Sequence, residues 1–171
     1  VEIITEAEVS AFEPSGVRLS DGRHVHADAI LVGVGASACD QLARTAGLRC
    51  ENGIVVDEQA RTADPSIYAV GDATWRPVPV HGGVRHRLES VPNALEQAKQ
   101  AAAAITGRPA PAPEVPWFWS DQYDLKLQIA GLPFEADRQL VRGDEAANSF
   151  AVFHLKGDRI VCVEAVNAGP E

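Results

Sequence analysis

The sequence predicts an α/β block followed by a separate antiparallel β block, with a proline-rich linker between them. Three observations carry this prediction. Up to residue 106, short apolar runs bounded by turn residues are interspersed with stretches of helical period. Residues 107–116 then hold four prolines and little that can pack, as a stiff linker does. Beyond them, strand-like segments are joined by turns such as Gly157-Asp158, with no internal repeat. The chain has 171 residues, 46% of them hydrophobic and 23% charged, so it can bury a core.

Taken in order, Val9, Ala11, Val17 and Leu19 alternate with polar residues as half-buried strands do. Asp21-Gly22 between Val17–Leu19 and Arg23–Val25 predicts a hairpin, with Gly22 at positive φ. The unbroken run Ala29–Gly35 predicts a strand buried on both faces of a parallel sheet. Gln41 to Ala46 reads as a short helix stopped by Gly47. Gly53–Asp57 and Ser66–Val70 read as strands, and residues 75–86, with Pro77, Pro79, Gly82 and Gly83, as an irregular loop. Ala94, Leu95, Ala98, Ala101, Ala102 and Ile105 keep the 3.6-residue period of a helix ended by Gly107 and Pro109. Lys126–Ala130, Gln139–Arg142, Phe150–Leu155 and Arg159–Val166 are the strands of the last block.

Composition excludes several functions. Asp and Glu number 24 against 15 Lys and Arg, a formal charge of −9, which argues against a nucleic-acid or anionic-membrane binder. No apolar run approaches the roughly 20 residues of a membrane span. Cys39, Cys50 and Cys162 are scattered and contain no CxxC pair, which fits a reducing, cytoplasmic setting. His24 with His26, and His81 with His86, lack ligands at metal spacing and read as solvated or structural, so no metal site is expected. There is no GxSxG elbow and no nucleophile with a base at readable spacing, so no catalytic acid, base or nucleophile is assigned. No secretion signal is visible. The chain has no Met and opens on an apolar segment, and it is read as a piece of something longer.

The strongest local signal is Thr62-Ala63-Asp64-Pro65-Ser66-Ile67-Tyr68-Ala69-Val70-Gly71-Asp72-Ala73. A strand delivering Gly71-Asp72 at its C-terminal end places them where α/β sheets bind ligands. Gly71 allows close approach to the backbone, and the Asp72 carboxylate can accept ligand hydroxyls. The alternative is a strand ending in an ordinary turn. Downstream, Glu89-Ser90-Val91-Pro92-Asn93 predicts a helix N-terminus capped by Ser90, with Pro92 in its first turn. Val115-Pro116-Trp117-Phe118-Trp119-Ser120-Asp121-Gln122 reads either as a hydrophobic plug at a domain joint or as a stacking platform for a planar cofactor.

The first of these strings resembles the second flavin-binding motif of the two-dinucleotide-domain flavoproteins. Together with Glu89–Ala98, Pro116–Tyr123, Arg142-Gly143 and Ala165-Val166-Asn167, it resembles the ferredoxin reductases that supply bacterial cytochromes P450 and ring-hydroxylating dioxygenases. The resemblance covers the C-terminal part of that family. It implies residues 1–35 as the end of an NADH-binding domain and 36–112 as the C-terminal half of an FAD-binding domain. Residues 113–171 would then be an incomplete C-terminal interface domain of α+β antiparallel type. It further implies hydride transfer from NADH to FAD, then single-electron transfers to an iron–sulfur ferredoxin. Gly71 and Asp72 would serve the ribityl chain, the Val91 N–H the pyrimidine edge, and Trp119 the flavin and nicotinamide. Lys99, Trp117, Arg85 and Arg87, with Arg76 nearby, would form a positive ferredoxin-docking face.

Both GxGxxG loops are absent, so the chain as given is expected to hold no FAD, and its uncovered strand at Ile30–Val34 to seek a dimer. Gly35-Ala36-Ser37-Ala38-Cys39 also departs from the family's usual Gly-x-x-Pro-Asn. The His–Glu pair of disulfide-reducing relatives is not found. Another reductase of the superfamily, of monodehydroascorbate or nitrite reductase type, and a non-catalytic docking module remain as alternatives.

Overall fold

The computed structural model describes residues 2–168. They fall into two compact units, residues up to Ala36 and residues from Ser37 onward. In the first unit, apolar alternation builds β1 (Val9–Glu13), β2 (Gly16–Leu19) and β3 (His24–His26), an antiparallel sheet in chain order. The predicted Asp21-Gly22 turn closes β2 on β3 with Gly22 at φ 89°. The Asp21 carboxylate accepts the Arg23 N–H at 2.9 Å, and that bond, with the guanidinium beside it, holds its pKa below the usual range. Leu19 is the buried apolar residue of this sheet.

Residues 29–35 do not form the predicted strand. Leu31 is 98% exposed and Val34 89%. A strand of a parallel sheet needs neighbours to pair its N–H and C=O groups, and among the described residues no strand pairs with this run. Apolarity marks a segment that wants cover; it does not supply the partner.

In the second unit, α1 (Gln41–Thr45) is short and stops where Gly47 turns left-handed at φ 74°. Next, β4 (Cys50–Glu51), β5 (Gly53–Val55), β6 (Thr74–Val78) and β7 (Val84–His86) form a sheet in that order. Its only parallel pair among the described residues is β5 with β6. The predicted strand at 66–70 is reduced to one bridge, Arg61 with Tyr68. Its backbone groups are consumed by the turn at Asp64-Pro65: Ile67 N–H bonds Asp64 O, Thr62 N–H bonds Ile67 O, and Ala69 N–H bonds Ala60 O. Residues 75–86, expected to be irregular, are the β6–β7 hairpin. Gly82 and Gly83, at φ 71° and 76°, make its turn. Pro77 lies past the two β6 residues that pair with β5, where no ladder bond is asked of it on that side.

Helix α2 (Val91–Thr106) begins and ends as the sequence predicts. Ser90 Oγ accepts the Asn93 N–H, Pro92 lies in the first turn, and Gly107 closes the helix at φ 67°. Its buried face is not the predicted one. Of the apolar stripe only Ala101 is buried, while Leu95 is 57% and Ile105 64% exposed. Asn93, Glu96, Gln97 and Gln100 are buried instead, because the surface they pack on presents backbone groups and Arg76, all of which require polar partners.

The last block is a five-stranded antiparallel sheet. Its strands are β8 (Trp117–Gln122), β9 (Leu125–Gly131), β10 (Arg138–Asp144), β11 (Ser149–Lys156) and β12 (Arg159–Val166), in the order β10-β11-β12-β9-β8. The aromatic string after the linker is therefore an edge strand, which its reading as a plug or a platform did not anticipate. Gly131 bends β9 at φ 91°; a Cβ there would lie 2.1 Å from Val161 O. No helix among the described residues is long and apolar enough to cross a membrane.

Candidate functional site: the Gly71–Asp72 turn at the head of helix α2

Residues 71–73 make a single 3-10 turn between the Pro65 loop and β6, and that turn rests on α2. Gly71 is buried at φ 79°, a conformation that favours glycine, and a Cβ would touch Ala94 Cβ at 3.7 Å. Its N–H donates to Gln97 Oε1 at 2.7 Å, and its C=O accepts the Thr74 hydroxyl at 2.8 Å. Both backbone groups of Gly71 are thus fixed from within the protein. The side chain that this fixing presents belongs to Asp72. It is exposed, not buried, and makes no hydrogen bond or ion pair among the described residues.

At the head of α2, the Ser90 cap takes the Asn93 N–H, Ala94 N–H bonds Ser90 O, and Pro92 has no N–H to offer. The Val91 N–H finds no partner among the described residues. One outward carboxylate and one outward N–H at the positive end of a 16-residue helix suit a polar ligand with hydroxyl donors at one place and developing negative charge at another. These are the features a flavin's ribityl chain and pyrimidine edge require, so the residues present fit the group.

Beneath the turn lies a buried polar network that sequence reasoning missed. Arg76 is 2% exposed, and its Nη1 donates to Glu96 Oε2 at 2.6 Å and Asn93 Oδ1 at 2.9 Å. Glu96 Oε1 accepts Gln100 Nε2 and the Glu114 N–H, each at 3.0 Å, which ties the linker to α2. Polar residues at 93, 96, 97 and 100 share one helix face, and that spacing was the available signal.

The expected gathering of free positive charge does not form. Arg76 is buried in the network. Arg85 donates to Trp75 O at 3.0 Å and to Val56 O, and Arg87 pairs with Glu89 and Asn52. Lys99 is exposed and pairs with Glu114 at 2.9 Å. Trp117 and Trp119 stack on one face of β8 at 4.9 Å between ring centroids and remain 42% and 41% exposed. Strand β8 lies against α2, so this aromatic pair and Lys99 belong to neighbouring elements.

A His–Glu contact does exist in the last sheet: His154 Nε2 lies 3.0 Å from Glu164 Oε2. Cys162 stands across from His154 in the ladder, but burial pushes its thiol pKa up to about 11. Burial of this kind disfavours the thiolate, which is the reactive form of a cysteine.

His86 stacks on Phe134 at 4.7 Å, and burial lowers its pKa. His81 is lowered by burial and then by Arg159, whose guanidinium also bonds Val80 O. For each, the folded pKa lies below the unfolded one, so the unfolded chain takes up protons first as pH falls. The stabilising contribution is complete above the ordinary histidine value of about 6.5 and is lost below it. Thermal unfolding at pH 7.5 and 5.5 should show a loss on acidification that shrinks in the His81→Gln/His86→Gln double variant.

Comparison with known proteins now decides the family. Residues 1–98 match the pyridine nucleotide-disulphide oxidoreductase family, and residues 117–171 match the reductase C-terminal family. The chain belongs to the pyridine nucleotide-disulphide oxidoreductase family. Within it, the chain is 55% identical, over 98% of its length, to a protein of Castellaniella defragrans named a probable ferredoxin reductase. It is 46% identical over 90% of its length to rhodocoxin reductase of Rhodococcus erythropolis, and 42% over 98% to putidaredoxin reductase of Pseudomonas putida. It spans 42%, 36% and 41% of those relatives, respectively. The solved covalent putidaredoxin reductase–putidaredoxin complex superposes with a TM-score of 0.90 at 41% identity, covering 94% of this chain and 40% of that one. As an oxidoreductase fold of this family, the α/β part followed by an antiparallel C-terminal sheet is the architecture the sequence predicts.

Proposed function

We propose that these residues work within a longer NADH-dependent, FAD-containing reductase that passes electrons to an iron–sulfur ferredoxin serving a P450 or dioxygenase. The observation that carries this reading is the pairing of an outward Asp72 with an outward Val91 N–H at the head of α2, in a chain 42–55% identical to three named ferredoxin reductases. In this reading residues 1–35 close the NADH-binding domain, 36–112 complete the FAD-binding domain, and 113–171 form the interface domain. The bound flavin supplies the exchange between two-electron and one-electron chemistry. The protein's share is positional: Asp72 accepts ribityl hydroxyls, the buried Gly71 supplies the left-handed turn that carries it in place of the close ligand approach expected of it, and the Val91 N–H meets the pyrimidine edge. The stacked Trp117 and Trp119 give β8 an aromatic surface beside α2, Trp119 toward the cofactors and Trp117 toward the partner.

NADH-driven cytochrome c reduction by the full-length protein tests this directly. Activity that depends on an added [2Fe–2S] ferredoxin supports the reading, and equal rates without ferredoxin overturn it.

The docking face rests mainly on Lys99 and Trp117, since the guanidiniums of Arg85 and Arg87 are engaged by the hairpin and its flanks. Exposed pairs such as Lys99–Glu114 contribute little to stability, about 0–1 kcal/mol, and leave the lysine charge available to steer an acidic partner. Lys99→Glu is expected to slow ferredoxin reduction while sparing NADH-to-ferricyanide turnover, with the deficit shrinking as salt rises. Equal loss in both assays would instead assign Lys99 to supporting the helix.

A further inference from the structure

We propose that Gln97 is the positioning residue of the flavin-holding turn: it fixes Gly71 from below so that Asp72 is aimed outward. This inference rests on the assignment of Asp72 to the flavin. Gln97 is fully buried, and among the described residues it is the largest side chain so enclosed. Its Oε1 sits at the centre of three donors: the Gly71 N–H at 2.7 Å, the Thr74 hydroxyl at 3.0 Å and Asn93 Nδ2 at 3.5 Å. The Thr74 hydroxyl is shared with Gly71 O at 2.8 Å, so one side chain and its hydroxyl neighbour clamp both sides of the Gly71 residue.

An ordinary core amide would satisfy both of its ends. Gln97 Nε2 is buried with no hydrogen-bond partner among the described residues. A buried donor left without a partner costs stability, and packing alone would favour an apolar residue at such a position. The oxygen end therefore accounts for the glutamine. The shortest of that oxygen's bonds, from the Gly71 N–H, holds the turn that carries Asp72. A left-handed Gly71 has no side chain to hold it in place; without Gln97 its N–H loses its acceptor, and the 71–73 turn is held only through Gly71 O, by the Thr74 N–H and hydroxyl. Asp72 is too exposed to orient itself by packing.

The test uses full-length protein loaded with FAD. Release of FAD on dilution is followed by the rise in flavin fluorescence, and apoprotein stability is measured separately by thermal unfolding. Gln97→Met keeps the shape and removes the acceptor, and should speed FAD release at least tenfold. Gln97→Glu keeps an acceptor for Gly71 and Thr74 and should bring release back to within about threefold of wild type. In the Asp72→Ala background, Gln97→Met should add less than twofold, because the two changes act through one carboxylate. Release from Gln97→Met within twofold of wild type overturns the proposal, as does full additivity with Asp72→Ala. If Gln97→Met fails to fold, Gln97→Glu and Thr74→Val decide in its place. Thr74→Val removes one arm of the clamp, and release from it no faster than from wild type counts against the proposal. Unchanged release from Asp72→Ala alone overturns the flavin assignment itself. A fast Asp72→Ala with a slow Gln97→Met overturns only the role given to Gln97.

Discussion

Arg76→Met is expected to destabilise the protein by about 3–5 kcal/mol, the largest single loss from any substitution considered. The cost does not come from the attraction between Arg76 and Glu96, since desolvating both charges offsets much of that. It comes from what remains. Glu96 is 6% exposed, and without Arg76 its carboxylate stays enclosed with only Gln100 and the Glu114 N–H as donors. Asn93 Oδ1 also loses its donor. Urea unfolding of the variant measures the loss. Adding Glu96→Gln should recover part of it by removing the stranded charge, but not all, because Asn93 stays unsatisfied. A loss below 1 kcal/mol would mean that water reaches Glu96 and that the network is not closed. Since Arg76 joins β6 to α2, and Glu96 joins α2 to the linker, the variant should also loosen the linker. Proteolysis between Gly107 and Pro116 reads that out.

Asp72→Ala is expected to raise the rate of FAD loss from the full-length protein about 10- to 100-fold, with little change in NADH affinity. Each charge-assisted hydrogen bond from a ligand hydroxyl to a carboxylate contributes roughly 1.5–3 kcal/mol, and about 1.4 kcal/mol is tenfold in affinity. The side chain is exposed and makes no hydrogen bond or ion pair among the described residues, so its removal breaks none of their bonds. That separates a ligand effect from a folding effect: the apoprotein should unfold at the wild-type temperature. Dialysis followed by the flavin absorbance ratio measures retention, and full occupancy after dialysis would remove Asp72 from the site.

What was legible in the sequence was local chemistry. Ser90 and Gly107 mark the two ends of α2 because capping is decided within a few residues. Gly71-Asp72 was legible as a position only: it read as the C-terminal end of a strand, with an ordinary turn as the alternative, and the structure makes it a 3-10 turn with an exposed carboxylate. The Asp21-Gly22 and Gly157-Asp158 hairpins follow from turn residues between alternating strands. What failed was everything that depends on a partner. Residues 29–35 and 66–70 are apolar enough for strands, yet a strand exists only where another offers hydrogen bonds. The β6–β7 hairpin was hidden by Pro77 and Pro79, which argue against a ladder until one sees on which side it runs. The buried face of α2 was inverted for a related reason. Polar residues three and four apart look like a solvated face, and only the presence of Arg76 and the Gly71 backbone beneath makes them interior. Gln97 bonds Thr74 across 23 residues and Glu96 bonds Arg76 across 20, and no local pattern links them.

Amide hydrogen exchange in the full-length protein, with and without FAD, is the measurement that bears most directly on the site. If the turn at 71–73 and the head of α2 hold the flavin, the amides of Asp72 and Val91 should exchange readily in the apoprotein and become protected when FAD is added. The Gly71 amide, already bonded to Gln97, should be slow in both states. Protection gained elsewhere, with Asp72 and Val91 unchanged, would contradict the account and place the cofactor away from this turn.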